Sequence, residues 1–173
     1  SLNPVYLRAL GKDLQTSFTY SVSNAASTPL RITMRVTNPE VARLSLDQNT
    51  PGSESIQFDI PANNYGYRSI WVEGLAEGYT EILVEAPGRS TARSSLFIGP
   101  TSFGFSYSGG TTLGQGTQQY VTIQPLDGSN GYWSSARLRP GVRLALPLLS
   151  SQPLVADAAP GLVMIEGIGG TFL

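Results

Sequence analysis

Carboxylates are the side chains of this chain best suited to catalysis, because it contains neither histidine nor cysteine. The absence of histidine and cysteine rules out Ser-His-Asp and Cys-His centres and His-based zinc sites. Glu73, Glu77, Glu81 and Glu85 recur along one short stretch. Two carboxylates facing each other about 5–10 Å apart would suit glycoside hydrolysis. Glu81 and Glu85, however, alternate with apolar residues, so we expect a solvated strand face, no catalytic residue and no enzyme.

Oxygen ligands for a cation are concentrated in the Asp-Gly-Ser-Asn-Gly sequence of residues 127–131. Calcium takes six to eight oxygens, and an EF-type loop is longer and ends in a glutamate that is missing here. We therefore favour a plain hairpin turn and predict no metal and no cofactor. The alternative is a weak calcium site between modules that uses Asp13, Asp47 and Asp127.

Aromatic residues could form a platform on which a sugar stacks. They gather in two groups: Tyr65, Tyr67, Trp71 and Tyr79, and then Tyr132 and Trp133. All of these except Tyr79 are candidate ligand-binding residues. Trp71 has the opposite parity to Ile70 and Val72, which would turn its ring outward. We favour the other interpretation, in which Trp71 covers a sheet edge or is the buried tryptophan of a sandwich.

The elements that carry these residues are predicted to be β-strands, because apolar residues recur with a period of two along much of the chain. Turn-forming sequences rich in Pro, Gly and Asn separate the segments. Seven or so half-buried strands in residues 1–99 are typical of a two-sheet sandwich. The residues expected to face inward are Phe18, Tyr20, Ile32, Met34, Phe58, Ile70, Ile82 and Val84.

A junction between two modules is predicted at the Gly-Pro-Thr sequence of residues 99–101, since glycine and proline interrupt strands. An ordinary loop inside one larger domain is the alternative. The second part, residues 100–173, repeats one feature of the first: a strand leads into the turn around Pro39 and again into the turn around Pro153. The sequence thus predicts an all-β fold of tandem modules.

Residues 30–98 carry a more specific pattern. Thr37–Leu44 reads Thr-Asn-Pro-Glu-Val-Ala-Arg-Leu, and residues 74–88 contain Gly-Tyr-Thr-Glu-Ile-Leu-Val-Glu-Ala-Pro-Gly before a last strand that ends at Ile98. This pattern resembles the bacterial immunoglobulin-like repeats of invasin-type proteins and adhesins. A shorter match runs from Arg143 to Met164. The resemblance implies tandem immunoglobulin-like β-sandwich modules, in residues 1–99 and 100–173.

The second module departs from the repeat pattern, because the chain ends at Leu173 before the expected Gly-x-x-x-Ile strand. We expect this module to be incomplete. An open sheet edge would leave Leu144, Leu146, Leu162 and Met164 without partners and would favour self-association. Alternatively, the second half follows a different plan and closes with the strands it has.

The composition argues against two kinds of partner, nucleic acid and the membrane interior. Net charge is −1 and only 13% of the residues are charged. No cluster of basic residues offers a surface for nucleic acid, and no apolar run approaches the ~20 residues that span a bilayer, so membrane insertion is not expected. The chain starts with Ser rather than Met, which suggests a processed or excised piece.

The predicted function is a non-catalytic structural, spacer or adhesive module of a larger bacterial protein. We expect it to be secreted or at the cell surface, with the periplasm as an alternative. Its partners would be neighbouring domains of the same polypeptide. The rival hypothesis is an accessory module of a secreted enzyme that binds carbohydrate or, for example, a host protein.

Overall fold

The computed structural model describes residues 2–107, 115–116, 121–126, 136–151 and 162–166. All regular structure in these ranges is β-strand, so the prediction of an all-β chain is confirmed. Accordingly, the described part has no helix that is long and apolar enough to cross a membrane. Eight strands lie within residues 1–99: β1 (Ala9–Gly11), β2 (Leu14–Tyr20), β3 (Leu30–Val36), β4 (Ala42–Ser45), β5 (Ser55–Ile60), β6 (Arg68–Gly74), β7 (Gly78–Glu85) and β8 (Ala92–Gly99).

The C-terminal part contributes five strands to the described structure: β9 (Phe103–Tyr107), β10 (Val121–Pro125), β11 (Arg137–Leu138), β12 (Arg143–Pro147) and β13 (Leu162–Glu166). β9 pairs with β10, and β12 pairs with β13, each as an antiparallel two-stranded sheet. The short strand β11 instead joins a sheet of the N-terminal part.

Two larger sheets form a β-sandwich. Sheet A has the strand order β1-β8-β7-β3-β5, and sheet B has the order β11-β2-β6-β4. The pairs within them are antiparallel except for β1 and β8, which run parallel with Ala9 opposite Phe97. The arrangement of tandem immunoglobulin-like modules within this all-β fold remains a prediction.

Alternating apolar residues of both sheets meet in one buried cluster. Ile32, Met34, Ile82 and Val84 of sheet A and Ile70 of sheet B have no exposed surface. Tyr20 and Phe58 are also buried, whereas Phe18 is only partly buried. Seven of the eight residues predicted to face inward are therefore buried, because the side-chain period of a strand is two.

The same cluster continues into the C-terminal part of the chain. Ile123, Ala136 and Leu138 are buried members, and Leu144 and Leu146 pack against it while partly exposed. These two leucines therefore have apolar partners, whereas Met164 on β13 is exposed. The predicted domain boundary at residue 99 thus lies within a continuous apolar cluster.

Candidate functional site

The outer face of sheet B carries the first candidate, Trp71. Ile70 and Val72 point into the core, so Trp71 lies on the opposite face, as its parity predicts. Its indole is half-buried, since the guanidinium carbon of Arg137 lies 4.7 Å from the ring centroid. Arg137 also donates a hydrogen bond to the side chain of Gln48 at 3.0 Å. The Arg137 guanidinium therefore lies over the Trp71 ring.

A row of four polar residues, of which the central two are buried, lies beside Trp71 on the same face. Arg137, Gln15, Glu73 and Arg43 stand directly opposite one another across β11, β2, β6 and β4. Glu73 is only 3% exposed, and its Oε1 makes no hydrogen bond to any described residue. The connection after β4 folds over this row, with Gly52 so close that a Cβ there would lie 3.2 Å from the Glu73 carboxylate.

Gln15 links that connection to β2 and to β11. Its side-chain amide donates to the backbone oxygen of Gln48 at 3.0 Å and approaches that of Leu138 at 3.4 Å. Asp47 orders the turn itself, because its carboxylate accepts a bond from the backbone N–H of Asn49 at 2.7 Å. The row therefore connects the loop after β4 to the strands of sheet B, including β11.

The remaining predicted aromatic residues do not extend the Trp71 surface. Tyr65 and Tyr67 lie in the loop before β6 and are 50% and 76% exposed. Among the described residues, neither ring packs against Trp71 or against the other. Tyr132 and Trp133 lie outside the described residues. A ligand platform made of these five residues remains a prediction.

An open groove that the aromatic pattern did not predict lies on the outer face of sheet A, between residues 4–8 and strands β7 and β8. It has a volume of about 460 Å³. Its lining includes Tyr6, Arg8, Tyr79, Arg93, Ser95 and Phe97. We call this the N-terminal groove. Tyr6 and Tyr79 are 84% and 74% exposed, and the ring centroids of Tyr79 and Phe97 are 4.8 Å apart.

Strand register explains why sequence patterns miss the N-terminal groove. Tyr79 lies directly opposite Phe97, and Phe97 in turn lies opposite Ala9 of β1. The backbone N–H of Val5 donates to the Ser94 hydroxyl at 2.7 Å, which fixes the segment that carries Tyr6. This bond and the parallel pairing of β1 with β8 together bring Tyr6 beside residues that follow it by more than 70 positions.

The acidic residues of the outer face of sheet A are engaged in ion pairs. Glu81 lies 3.3 Å from Arg93, and Glu85 lies 3.4 Å from Arg35. Their side chains are 42% and 37% exposed, consistent with the expected solvated strand face. Each carboxylate is thus balanced by a guanidinium instead of facing a second carboxylate across a cleft.

A third pair, Arg31 and Asp59, is bidentate, with N···O distances of 2.8 and 2.9 Å. Hydrogen bonding to Arg31 holds the pKa of the Asp59 carboxyl below its ordinary value, and the charge of Arg31 adds to this effect. Hydrogen bonding to Asp59 likewise raises the pKa of Arg31. Both side chains are exposed, so the pair adds little to the stability of the fold.

The candidate calcium ligands do not converge within the described residues, where no group of three acidic, histidine or cysteine side chains could hold a metal. Asp13 pairs with Arg139 at 3.1 Å, and Asp47 caps its own turn. Asp127 lies outside the described residues, as does the rest of the predicted hairpin turn of residues 127–131.

Comparison with known proteins gives only distant structural likeness. Comparison with protein-family models finds no matching family, and no curated protein matches the sequence. Domains 5–6 of the S-layer protein SbsC are similar over 97% of this chain and 83% of that one, at 13% identity and a TM-score of 0.39. Domains 4–9 of SbsC are similar over 98% of this chain and 26% of that one, at 13% identity and a TM-score of 0.40.

Proposed function

We propose that this chain is a non-catalytic structural module of a larger bacterial cell-surface or secreted protein, built on an immunoglobulin-like plan. In this role it holds neighbouring domains of the same polypeptide apart and bears tension between them. The observation that carries the proposal is the parallel pairing of β1 with β8, the first and last strands within residues 1–99.

Parallel terminal strands resist tension well for a geometric reason. The chain enters β1 at one end of the sandwich and leaves β8 at the opposite end. Tension along the chain therefore shears the two strands past each other and loads their hydrogen bonds together. Bonds flank the pair at both ends: Phe97 N–H donates to Arg8 O at 2.9 Å, and Lys12 N–H donates to Gly99 O at 2.8 Å.

Contacts across the predicted module junction would pass tension on to the C-terminal part. The Arg139 backbone N–H donates to Asp13 O at 3.0 Å, and the two side chains form an ion pair. At the junction itself, the Thr101 hydroxyl donates a hydrogen bond to Lys12 O. Together with the continuous apolar cluster, these bonds favour a stiff connection over a flexible tether.

The strand order supports the immunoglobulin-like part of the proposal. β8-β7-β3 matches the G-F-C order of one immunoglobulin sheet, and β2-β6-β4 matches the B-E-D order of the other. Two departures are specific to this chain. β5 occupies the place beside strand C although it follows β4 in sequence, and β11 occupies the place beside strand B that strand A holds in immunoglobulins.

Single-molecule pulling tests this proposal, and the chain lacks cysteine, so cysteine pairs can be introduced as the only attachment points. In the full chain, attachment at Pro4 and Pro100 pulls β1 and β8 in shear. Attachment at Pro4 and Arg89 pulls on the two segments from the same end, because Pro4 precedes β1, Arg89 precedes β8 and the two strands run parallel. All three residues are exposed. We expect a clearly higher unfolding force for the first pair, and equal forces would overturn the proposal.

A matched pair of variants at Lys12 isolates one bond of this clamp. Lys12→Pro removes the N–H that donates to Gly99, whereas Lys12→Ala keeps it. We expect only the proline variant to lower the force in the shear direction. Ile82→Ala, a core change away from β1, shows how much a loss of stability alone lowers the force.

A further inference from the structure

We infer that the N-terminal groove is a binding site for an acidic saccharide, a sugar chain that carries a carboxylate. This inference is independent of the proposed mechanical function. It depends on three features of the groove: exposed aromatic rings, two guanidinium groups, and a lining without acidic residues.

The aromatic rings are the first feature. Tyr6 and Tyr79, with 84% and 74% of their surface exposed, are among the most exposed large side chains of the described structure, and both line this one groove. Large exposed apolar surface gathered in one place is a mark of interaction sites. Tyr79 and Phe97 pack with an interplanar angle of 39°, so they form a fixed, stepped surface. The apolar face of a pyranose ring can stack on such a surface, while the tyrosine hydroxyls remain free to bond its hydroxyl groups.

The positive charge of the lining is the second feature, and it favours a sugar that carries a carboxylate. Arg8 and Arg93 both line the groove, whereas no aspartate or glutamate does. A guanidinium binds a carboxylate through two parallel hydrogen bonds, which gives direction as well as strength. Glu81 holds Arg93 from outside the lining at 3.3 Å, in an exposed pair that leaves several N–H groups unused. Arg8 makes no side-chain hydrogen bond or ion pair to another described residue.

Size and shape agree with this ligand. The volume of about 460 Å³ lies within the range of small-molecule pockets, roughly 300–1,000 Å³. The groove is open along its length, which suits an extended chain better than a small enclosed molecule. Ser95 adds a hydroxyl group that can donate to or accept from a sugar hydroxyl. A basic protein partner is disfavoured, because both charged residues of the lining are arginines.

Calorimetric titration of the full chain tests the inference with four sugars. Trigalacturonate and sialyllactose carry a carboxylate, as a uronic and a sialic acid respectively, and galactotriose and lactose are their neutral counterparts. We expect saturable binding of at least one acidic sugar, at least about tenfold tighter than its neutral counterpart. The acidic sugar that binds shows whether the groove prefers a uronic acid or a sialic acid. Binding should weaken as salt is raised.

Two exposed tyrosines provide a matched pair of variants. Tyr79→Ala should weaken binding of the acidic sugar by about tenfold or more, as truncation of a central aromatic contact does. Tyr67→Ala removes an equally exposed ring that does not line the groove, and it should leave binding unchanged. Arg8→Gln should abolish the preference for the acidic sugar over its neutral counterpart.

Several results would overturn the inference. These are no saturable binding of any of the four sugars at millimolar concentration, equal affinity for acidic and neutral sugars, or unchanged affinity in Tyr79→Ala. Tighter binding of oligoglutamate than of either acidic sugar would identify the groove as a site for acidic peptides instead. None of these outcomes affects the pulling experiment, so the two proposals fail separately.

Discussion

Arg137 places its guanidinium carbon 4.7 Å from the ring centroid of Trp71, and so joins two strands of sheet B that are not neighbours. Arg137 belongs to β11 and Trp71 to β6, with β2 between them. The indole is thereby covered by a residue of the C-terminal part. This contact therefore reports directly on whether β11 is docked on the sandwich.

Removing that cation should expose Trp71. We expect Arg137→Ala to shift the tryptophan emission to longer wavelength and to destabilise the fold by about 0.5–2 kcal/mol, the range of cation–π pairs. The measurement is made in a Trp133→Phe background, since the chain has two tryptophans. Arg89→Ala, at an exposed turn, is the control. An unchanged emission spectrum would mean that β11 is not docked in solution.

The core of the sandwich gives a second prediction. Ile82 is fully buried at the centre of sheet A, whereas Leu149 is 89% exposed. Ile82→Ala should lower the free energy of unfolding by about 2–5 kcal/mol, because it leaves a cavity among packed side chains. Leu149→Ala should change it by less than ~0.5 kcal/mol. Urea denaturation measures both, and similar values for the two variants would contradict the assignment of the core.

Alanine variants at two glycines with nearly the same φ distinguish the energetic cost of a steric clash from that of backbone strain. Gly66 and Gly88 have φ values of 69° and 68°. A Cβ at position 66 would lie 2.5 Å from the Ile60 side chain, whereas one at position 88 would meet nothing within 4 Å. Both alanine variants should lose about 1–2 kcal/mol from the left-handed conformation. Gly66→Ala should lose about 1–3 kcal/mol more from overpacking.

A second change checks the cause of that difference. Ile60→Ala removes the Cδ1, Cγ1 and Cγ2 atoms, which lie 2.5–2.8 Å from the added Cβ. In a double-mutant cycle it should recover part of the extra loss in Gly66→Ala. Additive effects of the two changes would show that the loss does not come from contact with Ile60.

Most of the inward-facing residues could be read from the sequence, and Leu83 shows where parity fails. Leu83 shares its strand face with Glu81 and Glu85, yet it is only 1% exposed. It lies between Arg35 and Arg93 in the strand register. The long aliphatic stems of arginines can cover such a residue while their charged ends stay in water. Period-two alternation describes the backbone and does not foresee cover supplied by neighbouring strands.

The candidate sites were less accessible to sequence analysis, because they depend on which strands are neighbours. β1 and β11 have three and two residues, too few to show a period. Yet β1 fixes the segment with Tyr6 beside Phe97, and β11 places Arg137 over Trp71. Both pairings join residues far apart in the chain, so no local pattern encodes them.

Tyr20 links burial to stability at alkaline pH. Burial raises the pKa of its hydroxyl above the ordinary value. The hydroxyl makes no hydrogen bond to any described residue. The folded protein therefore keeps this proton to a higher pH than the unfolded chain does. The associated stability is fully present below the unfolded pKa, about 10, and is lost as pH rises through the folded value.

Tyr20→Phe removes this titration and keeps the ring, whose edge-to-face contact with Phe58 has a centroid distance of 6.2 Å. At pH 7 we expect the variant to be about as stable as the parent, within ~0.5 kcal/mol, because no hydrogen bond is lost. Between about pH 9 and pH 11.5, where tyrosines titrate, it should lose less stability than the parent does. Urea denaturation across this range measures the difference, with Tyr67→Phe, a change at an exposed ring, as the control. Only Tyr20→Phe removes a titrating hydroxyl from the core. If both variants lose stability in the same way as pH rises, the Tyr20 hydroxyl does not cause the alkaline loss of stability.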